Sequence, residues 1–389
     1  MLLGGARRTT LIFALLLSAA LTVNAVLRPQ LDWDVLAYAG CVEELHGGDG
    51  YAIHAAAYGA LEAQASPEDA RRLRGEADCD PDTAHYRQRM ADDPAAFHAQ
   101  LPFYRGRVAY IALLALAGAI GFGALDAALL IALISGLAFT AILLRWTTRF
   151  LPHGVALPAT LVGVWLAAVP QVMSMSTPDM LAAALLLGGA YLLAETPRRA
   201  LGVALLCLAV ATRANHAILA AALVVWSTPA RPFGTRLPFR VVGTPLAALL
   251  VVGLLCTRAR DTYPWWTVFH HSFVEYTAFP TVETPSRDVR AAVMRALHSL
   301  PMFKALHPLV ASLSGLTAIW LGARSRSWNS RPARLAAFVG LAVALHFALF
   351  PALWPRLMVA PWALLWIALL KARSEHPRVF PDAGAVTSV

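Results

Sequence analysis

The sequence predicts an all-α polytopic membrane protein with about 10–11 transmembrane helices and a helical first outer loop. Of its 389 residues, 58% are hydrophobic and 14% are charged, and the apolar residues occur in long runs. Soluble domains carry about 25% charged residues, and one membrane crossing needs roughly 20 apolar residues. Arginines in the short segments between these runs are typical of cytoplasmic loops. The net charge of +9 therefore indicates membrane topology and no nucleic-acid partner.

The first apolar run, residues 9–27, is predicted to be a retained transmembrane helix. A cleaved signal peptide is the alternative, because Val23-Asn24-Ala25 weakly resembles a cleavage site. Retention is favoured because the run continues to Leu27 and further spans follow. These later spans are predicted at 125–144, 154–172, 180–195, 200–212, 215–227, 241–257, 304–322, 335–350 and 357–371.

Basic loops set the orientation, since cytoplasmic loops are enriched in lysine and arginine. The rule places both termini in the cytoplasm. We expect a multi-pass protein of the cytoplasmic (inner) membrane. The loops then predicted to be cytoplasmic contain Arg145 and Arg149, Arg198 and Arg199, Arg231, Arg236 and Arg240, Arg324 to Arg334, and Lys371 with Arg373.

Two stretches are too short or too ambiguous to be ordinary spans. If 103–123 crossed fully, the later basic loops would move outside, so we expect a juxtamembrane or re-entrant helix there. The runs 200–212 and 215–227 are each below a full span. A break between them is tolerable only where it is buried in protein or lines water.

The whole chain, 1–389, is predicted to be one membrane domain with two large outer loops, 28–104 and 258–303. The first loop is acidic, with 14 of the 23 Asp and Glu between residues 29 and 104. Helices are predicted at 35–45, 51–65 and 67–73, the last capped by Ser66. Cys41 and Cys79 share this loop and could pair in an oxidising compartment. In the second loop a helix is expected at 286–297, with Ser286 as N-cap.

Asp32 and Asp34 are the first candidates for chemistry, because both follow the first apolar run directly. In an extended segment, residues two apart point the same way, so both carboxylates could face one site, whereas in a helix they would diverge. A like-charge pair of this kind could supply a general base or hold a divalent cation such as Mg²⁺ or Mn²⁺. The alternative is an acid pair that solvates the end of a span. Tyr38, four residues on, would line the same site.

Asp179, after Thr177 and Pro178, lies at the lip of a predicted span. A carboxylate facing lipid is costly, so its presence favours a cavity-facing role. A simple helix N-cap is the alternative.

Several outer basic residues could bind a phosphate, since the guanidinium fork matches phosphate oxygens. Snorkelling at the membrane interface is the alternative for each of them. The candidates are Arg105, Arg107, Arg213, Arg258 and Arg356.

Histidines give a weaker signal. His270, His271 and Glu275 offer too few ligands for a zinc motif, so no protein-ligated metal centre is expected there. His216, near Arg213, and His271 are interpreted as polar residues that line a substrate site. The sequence contains no phosphate-binding loop, dinucleotide fingerprint or nucleophile elbow.

The order of several short motifs resembles that of the polytopic GT-C glycosyltransferases, which include protein mannosyltransferases and aminoarabinose transferases. The resemblance covers most of the chain, although each motif is short. The motifs are Asp32-Trp33-Asp34-Val35-Leu36-Ala37-Tyr38, Leu101-Pro102-Phe103-Tyr104-Arg105-Gly106-Arg107, Ser176-Thr177-Pro178-Asp179-Met180-Leu181, Ala211-Thr212-Arg213 and Trp354-Pro355-Arg356-Leu357.

This resemblance implies transfer of a sugar from a polyprenyl-phosphate donor at the outer face of the membrane. Asp34, with Asp32 and Asp179, would be catalytic. The phosphate would be held by residues drawn from Arg105, Arg107, Arg213 and Arg356. The chain departs from the family in having Asp-Trp-Asp where an Asp-Glu pair is usual, and in lacking its Lys/His-Pro-Pro-Leu element. The sugar and its acceptor, whether glycan, lipid or protein, stay open. A multi-pass transporter and a non-catalytic accessory protein of envelope assembly are the competing interpretations.

Overall fold

The computed structural model describes residues 2–77, 80–228, 239–258, 261–284, 287–324 and 330–375. Within these residues the chain is all-helical, and its one β-bridge joins Gln30 to Met175. The helices before the main bundle are α1 (Leu2–Leu27), α2 (Asp34–Leu45), α3 (Gly50–Gln64), α4 (Pro67–Leu73), α5 (Pro81–Asp92), α6 (Pro94–Gln100) and α7 (Val108–Ala119).

The remaining helices form the bundle and its second loop. They are α8 (Ala124–Thr147), α9 (His153–Leu166), α10 (Val169–Val172), α11 (Asp179–Glu195), α12 (Arg199–Thr212), α13 (Ala217–Trp226), α14 (Phe239–Arg258), α15 (Trp265–Phe273), α16 (Pro280–Glu283), α17 (Val289–Ser299), α18 (Leu306–Arg324), α19 (Arg331–Leu349) and α20 (Pro355–Glu375).

Five helices among the described residues are long and apolar enough to cross a membrane: Arg8–Leu27, Ala124–Thr147, Leu306–Arg324, Arg331–Leu349 and Pro355–Glu375. Five further apolar helices are shorter, at 10 to 17 residues. The prediction of an all-helical protein with candidate membrane-spanning helices is therefore confirmed for the described residues. The larger number of spans stays a prediction.

The helix ends sort into two groups at opposite ends of the bundle. At one end Glu195 accepts hydrogen bonds from Trp146 and Lys371, so α8, α11 and α20 finish together. We name this the basic end. At the other end, the first residues of α11 and α20 meet the loop after α1, as described below. We name this the carboxylate end.

A glycine contact fixes α11 against α12. A Cβ at Gly189 would lie 3.0 Å from the carbonyl oxygen of Gly202, and a Cβ at Gly202 would lie 3.1 Å from that of Gly189. Small residues permit such close approach between apolar helices. The crossing carries Asp179 at the start of α11 and Arg213 just after α12 to the same end of the bundle.

The loop after α1 folds as a helical layer over the carboxylate end. Its helices were largely predicted: α2, α3 and α4 lie within a residue of their expected bounds, and the Ser66 hydroxyl accepts from the Asp69 amide as an N-cap. The layer has its own core, which includes Leu36, Ile53 and Phe97, and this core continues into α7 and α8.

The ambiguous stretch 103–123 contains α7, which is only 12 residues long. At 1.5 Å per residue it spans about 18 Å, well short of the roughly 30 Å hydrocarbon layer. The helix packs against α2, α8 and α12. Its length agrees with the predicted juxtamembrane or re-entrant helix.

Two local predictions need correction, and two others fall on residues that the structure does not describe. The predicted span 154–172 is two helices, α9 and α10, because Ala168 is left-handed (φ 54°) and the ring of Pro170 would clash with the carbonyl of residue 166 in a continuous helix. The second-loop helix begins at Val289 and is capped by Asp288. The proposed cap Ser286 lies outside the described residues, as does Cys79, the expected partner of Cys41.

Candidate active site

The loop that carries Asp32 is tied to the loop that precedes α11. The Gln30 amide donates to the Ser174 carbonyl at 2.8 Å, and the Ser176 amide donates back to the Gln30 carbonyl at 3.1 Å. The Asp32 amide donates to the Ser176 hydroxyl at 2.9 Å. These bonds hold the first carboxylate beside the entrance of α11, although the two segments are far apart in sequence.

Asp32 and Asp34 converge on one guanidinium. Nη1 of Arg356 lies 2.8 Å from Oδ2 of Asp32 and 3.7 Å from Oδ2 of Asp34. The segment is not extended, because Asp34 already begins α2, and the Asp34 amide donates to Oδ1 of Asp32 at 3.1 Å. A turn closed by the Asp32 side chain therefore brings the two carboxylates together.

The two carboxylates differ in what they can accept. Both oxygens of Asp32 are engaged, one by Arg356 and the other by the Asp34 amide. Oδ1 of Asp34 accepts from the Tyr104 hydroxyl at 3.0 Å, whereas its Oδ2 has no hydrogen-bond partner among the described residues. Oδ2 of Asp34 is consequently the oxygen that is free to accept a proton.

Opposite effects act on the pKa values of this pair. Burial and the neighbouring Asp34 charge raise the pKa of Asp32 above its usual value, against the pull of Arg356. Burial also acts to raise the pKa of Asp34, but the charges of Arg356, Arg107 and Arg213 and the Tyr104 hydrogen bond outweigh it and lower that pKa. Asp34 is therefore ionised at neutral pH.

Asp179 forms a second, deeper ion pair. Its Oδ1 lies 2.7 Å from Nη1 of Arg213, with the Asp179 side chain fully buried and that of Arg213 10% exposed. The helix starts at Asp179, as the alternative interpretation expected, but Pro178 occupies the N-cap position and no side chain caps the helix. A carboxylate that faces protein and not lipid fits the cavity-facing prediction.

Arg107 lies between two tyrosine rings beside Asp34. Its guanidinium carbon is 5.0 Å from the centre of the Tyr38 ring and 4.7 Å from that of Tyr104, and Nη1 donates to the Tyr38 hydroxyl. Burial raises the pKa of both phenols well above the usual value, so both remain neutral. Tyr38 thus lies beside Asp34, where it was expected, and Tyr104 is a further residue of the site for which no role was predicted.

The other predicted site residues have different partners. Arg105 donates two hydrogen bonds to Glu44, through Nε and Nη2, and so pairs with this carboxylate and not with Asp32, Asp34 or Asp179. His216, with Asn215 and His346, lines a small cavity between α13, α19 and α20. Arg258 ends α14. The structure therefore brings together Asp32, Asp34, Asp179, Arg107, Arg213, Arg356 and Tyr38. His216 adjoins this group, because its amide donates to the Arg213 carbonyl at 3.1 Å, whereas Arg105 is held by Glu44.

His271 lines a polar cleft of about 610 Å³, which has residues 80–89 on one side and residues 271–283 with Arg295 on the other. Its ring stacks on Phe103 with centroids 4.5 Å apart, and its Nδ1 accepts from the Thr277 amide. Burial lowers the pKa of His271 to about 4, so the ring is neutral. Tyr86 lines the same cleft, and its ring centre lies 5.5 Å from that of Trp33. In the sequence, Trp33 is the residue between Asp32 and Asp34. One aromatic layer therefore lies between the cleft and the carboxylates.

The described residues contain no group of three or more His, Cys, Asp or Glu that could hold a metal ion. Between Asp32 and Asp34, where a divalent cation could be held, the guanidinium of Arg356 already neutralises the carboxylates. The site contains three carboxylates, from Asp32, Asp34 and Asp179. It also contains three guanidiniums, from Arg107, Arg213 and Arg356, so the charges balance. The residues present therefore suit neutralisation of these carboxylates by arginine better than by a bound metal ion.

Comparisons with protein-family models, with curated proteins and with solved structures found no match.

Proposed function

We propose that this protein is a membrane glycosyltransferase that takes a sugar from a polyprenyl-phosphate donor and acts at the outer face of the cytoplasmic membrane. The observation that carries the proposal is an ionised carboxylate with a free oxygen, Asp34, held beside an arginine at one end of an apolar helical bundle. A lipid-linked phosphate at a membrane surface could reach such a site. The resemblance to GT-C enzymes supplies the reaction class.

In the proposed reaction, the acceptor hydroxyl attacks the anomeric carbon of the donor sugar while the bond to the phosphate oxygen breaks. Oδ2 of Asp34 takes the acceptor proton, and the lipid phosphate leaves with the bonding electrons. Geometry selects Asp34 over Asp32, since a base must first be within reach of its proton. The low pKa of Asp34 keeps it ionised but makes it a weak base.

Arg356 is the proposed phosphate ligand. Its side chain is 18% exposed and stacks on Trp354, with 5.2 Å from the guanidinium carbon to the ring centre. A guanidinium stabilises the charge that develops on a departing phosphate. Arg213 is held by Asp179 and Arg107 by two tyrosines, so we assign both a supporting electrostatic role. Arg105, which pairs with Glu44, is not part of this proposal.

The test is genetic complementation in the host of origin. The gene is deleted and restored with wild type, Asp34→Asn or Asp126→Asn, at matched membrane levels. Asp126 is an exposed acid in the first turn of α8 and serves as the control. Mass spectrometry of surface glycans, glycolipids and glycoproteins should show a sugar that is lost on deletion. Wild type and Asp126→Asn should restore it and Asp34→Asn should not; full restoration by Asp34→Asn would refute the role of Asp34.

One observation favours a transporter as the second candidate. The chain breaks between α12 and α13, and the side chains of Asn215, His216 and His346 carry buried polar atoms without hydrogen-bond partners among the described residues. Interrupted helices with polar groups are typical of transport sites. A deletion that alters no glycan, together with a phenotype that depends on His216 and His346 and not on Asp34, would support transport.

A further inference from the structure

Helix α17 has an apolar face that the described residues leave uncovered. Val289, Val293 and Leu297 repeat every four residues, so they lie along one side of the helix. Their exposed fractions are 64%, 52% and 53%, and the neighbouring Met294 and Leu300 are 45% and 50% exposed. A contiguous apolar surface of this kind is uncommon on a protein face that contacts only water.

The opposite side of α17 is fixed to the second outer loop. Ser299 is buried, and Ala292 packs against the cluster formed by Phe269 and Phe273. The Arg295 guanidinium carbon lies 5.9 Å from the centre of the Phe273 ring. The helix therefore has a defined orientation, with its apolar face directed away from the described part of the protein.

Charge and chain continuity indicate what covers this face. Residues 287–304 contain four basic residues and one acid, Asp288, which gives a net charge of +3. The basic residues are Arg287, Arg290, Arg295 and Lys304. Candidate membrane span α18 begins at Leu306, a short 3-10 turn after α17, and its exposed Leu306 and Leu309 continue the apolar surface.

We propose that α17 lies in the headgroup layer of an anionic lipid surface, with Val289, Val293 and Leu297 toward the acyl chains and Arg287 and Arg290 at the phosphates. An amphipathic helix binds this interface through buried apolar area together with attraction between its basic residues and anionic lipid. The inference does not depend on the proposed sugar transfer. Arg295, on the same helix, also lines the polar cleft. The proposed position of α17 therefore places one wall of that cleft at the depth of the lipid headgroups.

Fluorescence quenching tests this placement in the full-length protein. Val293→Cys is labelled with an environment-sensitive fluorophore and reconstituted in vesicles of equal parts phosphatidylcholine and phosphatidylglycerol. The quenchers are a nitroxide on the lipid acyl chain and iodide in the buffer. Glu68→Cys, at an exposed position on α4, is the matched control, and the chain without an introduced cysteine measures labelling of its four native cysteines.

The expected result is lipid quenching at position 293 at least about two-fold greater than at position 68, with the reverse order for iodide. Adding Arg287→Gln and Arg290→Gln should reduce the lipid quenching at position 293. Equal lipid quenching at the two positions would overturn the proposal. If the unlabelled Val293→Cys variant instead forms a dimer linked by a disulfide between the introduced thiols, the face belongs to a second copy of the chain, which would also overturn the proposal.

Discussion

Arg356 and Asp32 are 324 positions apart in the chain, yet Nη1 of Arg356 lies 2.8 Å from Oδ2 of Asp32. This ion pair joins the loop after α1 to the first turn of α20. The same guanidinium lies 3.7 Å from Asp34, so one side chain neutralises two carboxylates. The contact links the helical layer to the bundle and places a cation beside the proposed base.

Arg356→Gln should lower both stability and activity, because it leaves Asp32 and Asp34 as an uncompensated like-charge pair. Complete burial would make the loss about 3–5 kcal/mol, and partial exposure of all three side chains reduces it to roughly 1–3 kcal/mol. If Arg356 also holds the phosphate, sugar transfer should fall by about 10²–10³. Thermal unfolding in detergent and glycan mass spectrometry measure the two effects. Arg105→Gln, outside the cluster, should leave transfer at the wild-type level.

Asp179→Asn should be among the most destabilising single substitutions at the site. It leaves Arg213 buried without a counter-charge, which typically costs about 3–5 kcal/mol. The double variant Asp179→Asn, Arg213→Gln should be less destabilised than the sum of the two single variants, because no isolated charge remains. Thermal unfolding of the four proteins gives this coupling. Strictly additive losses would show that the pair does not act as a unit.

Tyr104→Phe should alter the pH dependence of activity and not only its level. The Tyr104 hydroxyl stabilises the ionised form of Asp34, so its removal raises the pKa of that carboxyl. The acid limb of the pH–rate profile should therefore move to higher pH. Tyr51→Phe, at an exposed position in α3, is the control. An acid limb that stays in place would contradict a role for Tyr104 in setting the ionisation of Asp34.

His271 should make the second outer loop sensitive to acid. Its pKa is about 4 in the folded protein against 6.5 for an ordinary histidine, so the unfolded chain binds more protons between these values. The contribution of this residue to stability is thus fully present above pH 6.5 and is lost as the pH falls toward about 4. His271→Asn should reduce the pH dependence of the unfolding temperature in this window. An unchanged slope would contradict the predicted contribution.

Much of the fold follows from local sequence patterns. The hydrophobic runs predicted α8, α18, α19 and α20, and the polar residues around Ser66 predicted the start of α4. The charges of the later loops predicted that 103–123 forms a juxtamembrane or re-entrant helix. The length of α7, 12 residues, agrees with that prediction. The break at Ala168 was not predicted, since a window average of hydrophobicity does not register the backbone effect of Pro170.

The site was less accessible to sequence reasoning. Asp32, Asp34 and Asp179 were singled out because carboxylates at span ends are unusual, but their partners depend on tertiary packing. Arg105 and Arg107 are two residues apart and looked equivalent, yet one pairs with Glu44 and the other lies between tyrosines. Tyr104 carried no distinguishing pattern, because its role depends on a contact 70 residues away in the chain.

The most direct test of the central claim is the level of polyprenyl-phosphate-linked sugars in the host. Lipid extracts of the deletion strain, and of the deletion strain carrying wild type, Asp34→Asn or Asp126→Asn, are compared by mass spectrometry. We expect one polyprenyl-phosphate sugar to accumulate in the deletion and Asp34→Asn strains and to return to its normal level with wild type or Asp126→Asn. If no polyprenyl-phosphate sugar changes in any strain, this protein does not use such a donor.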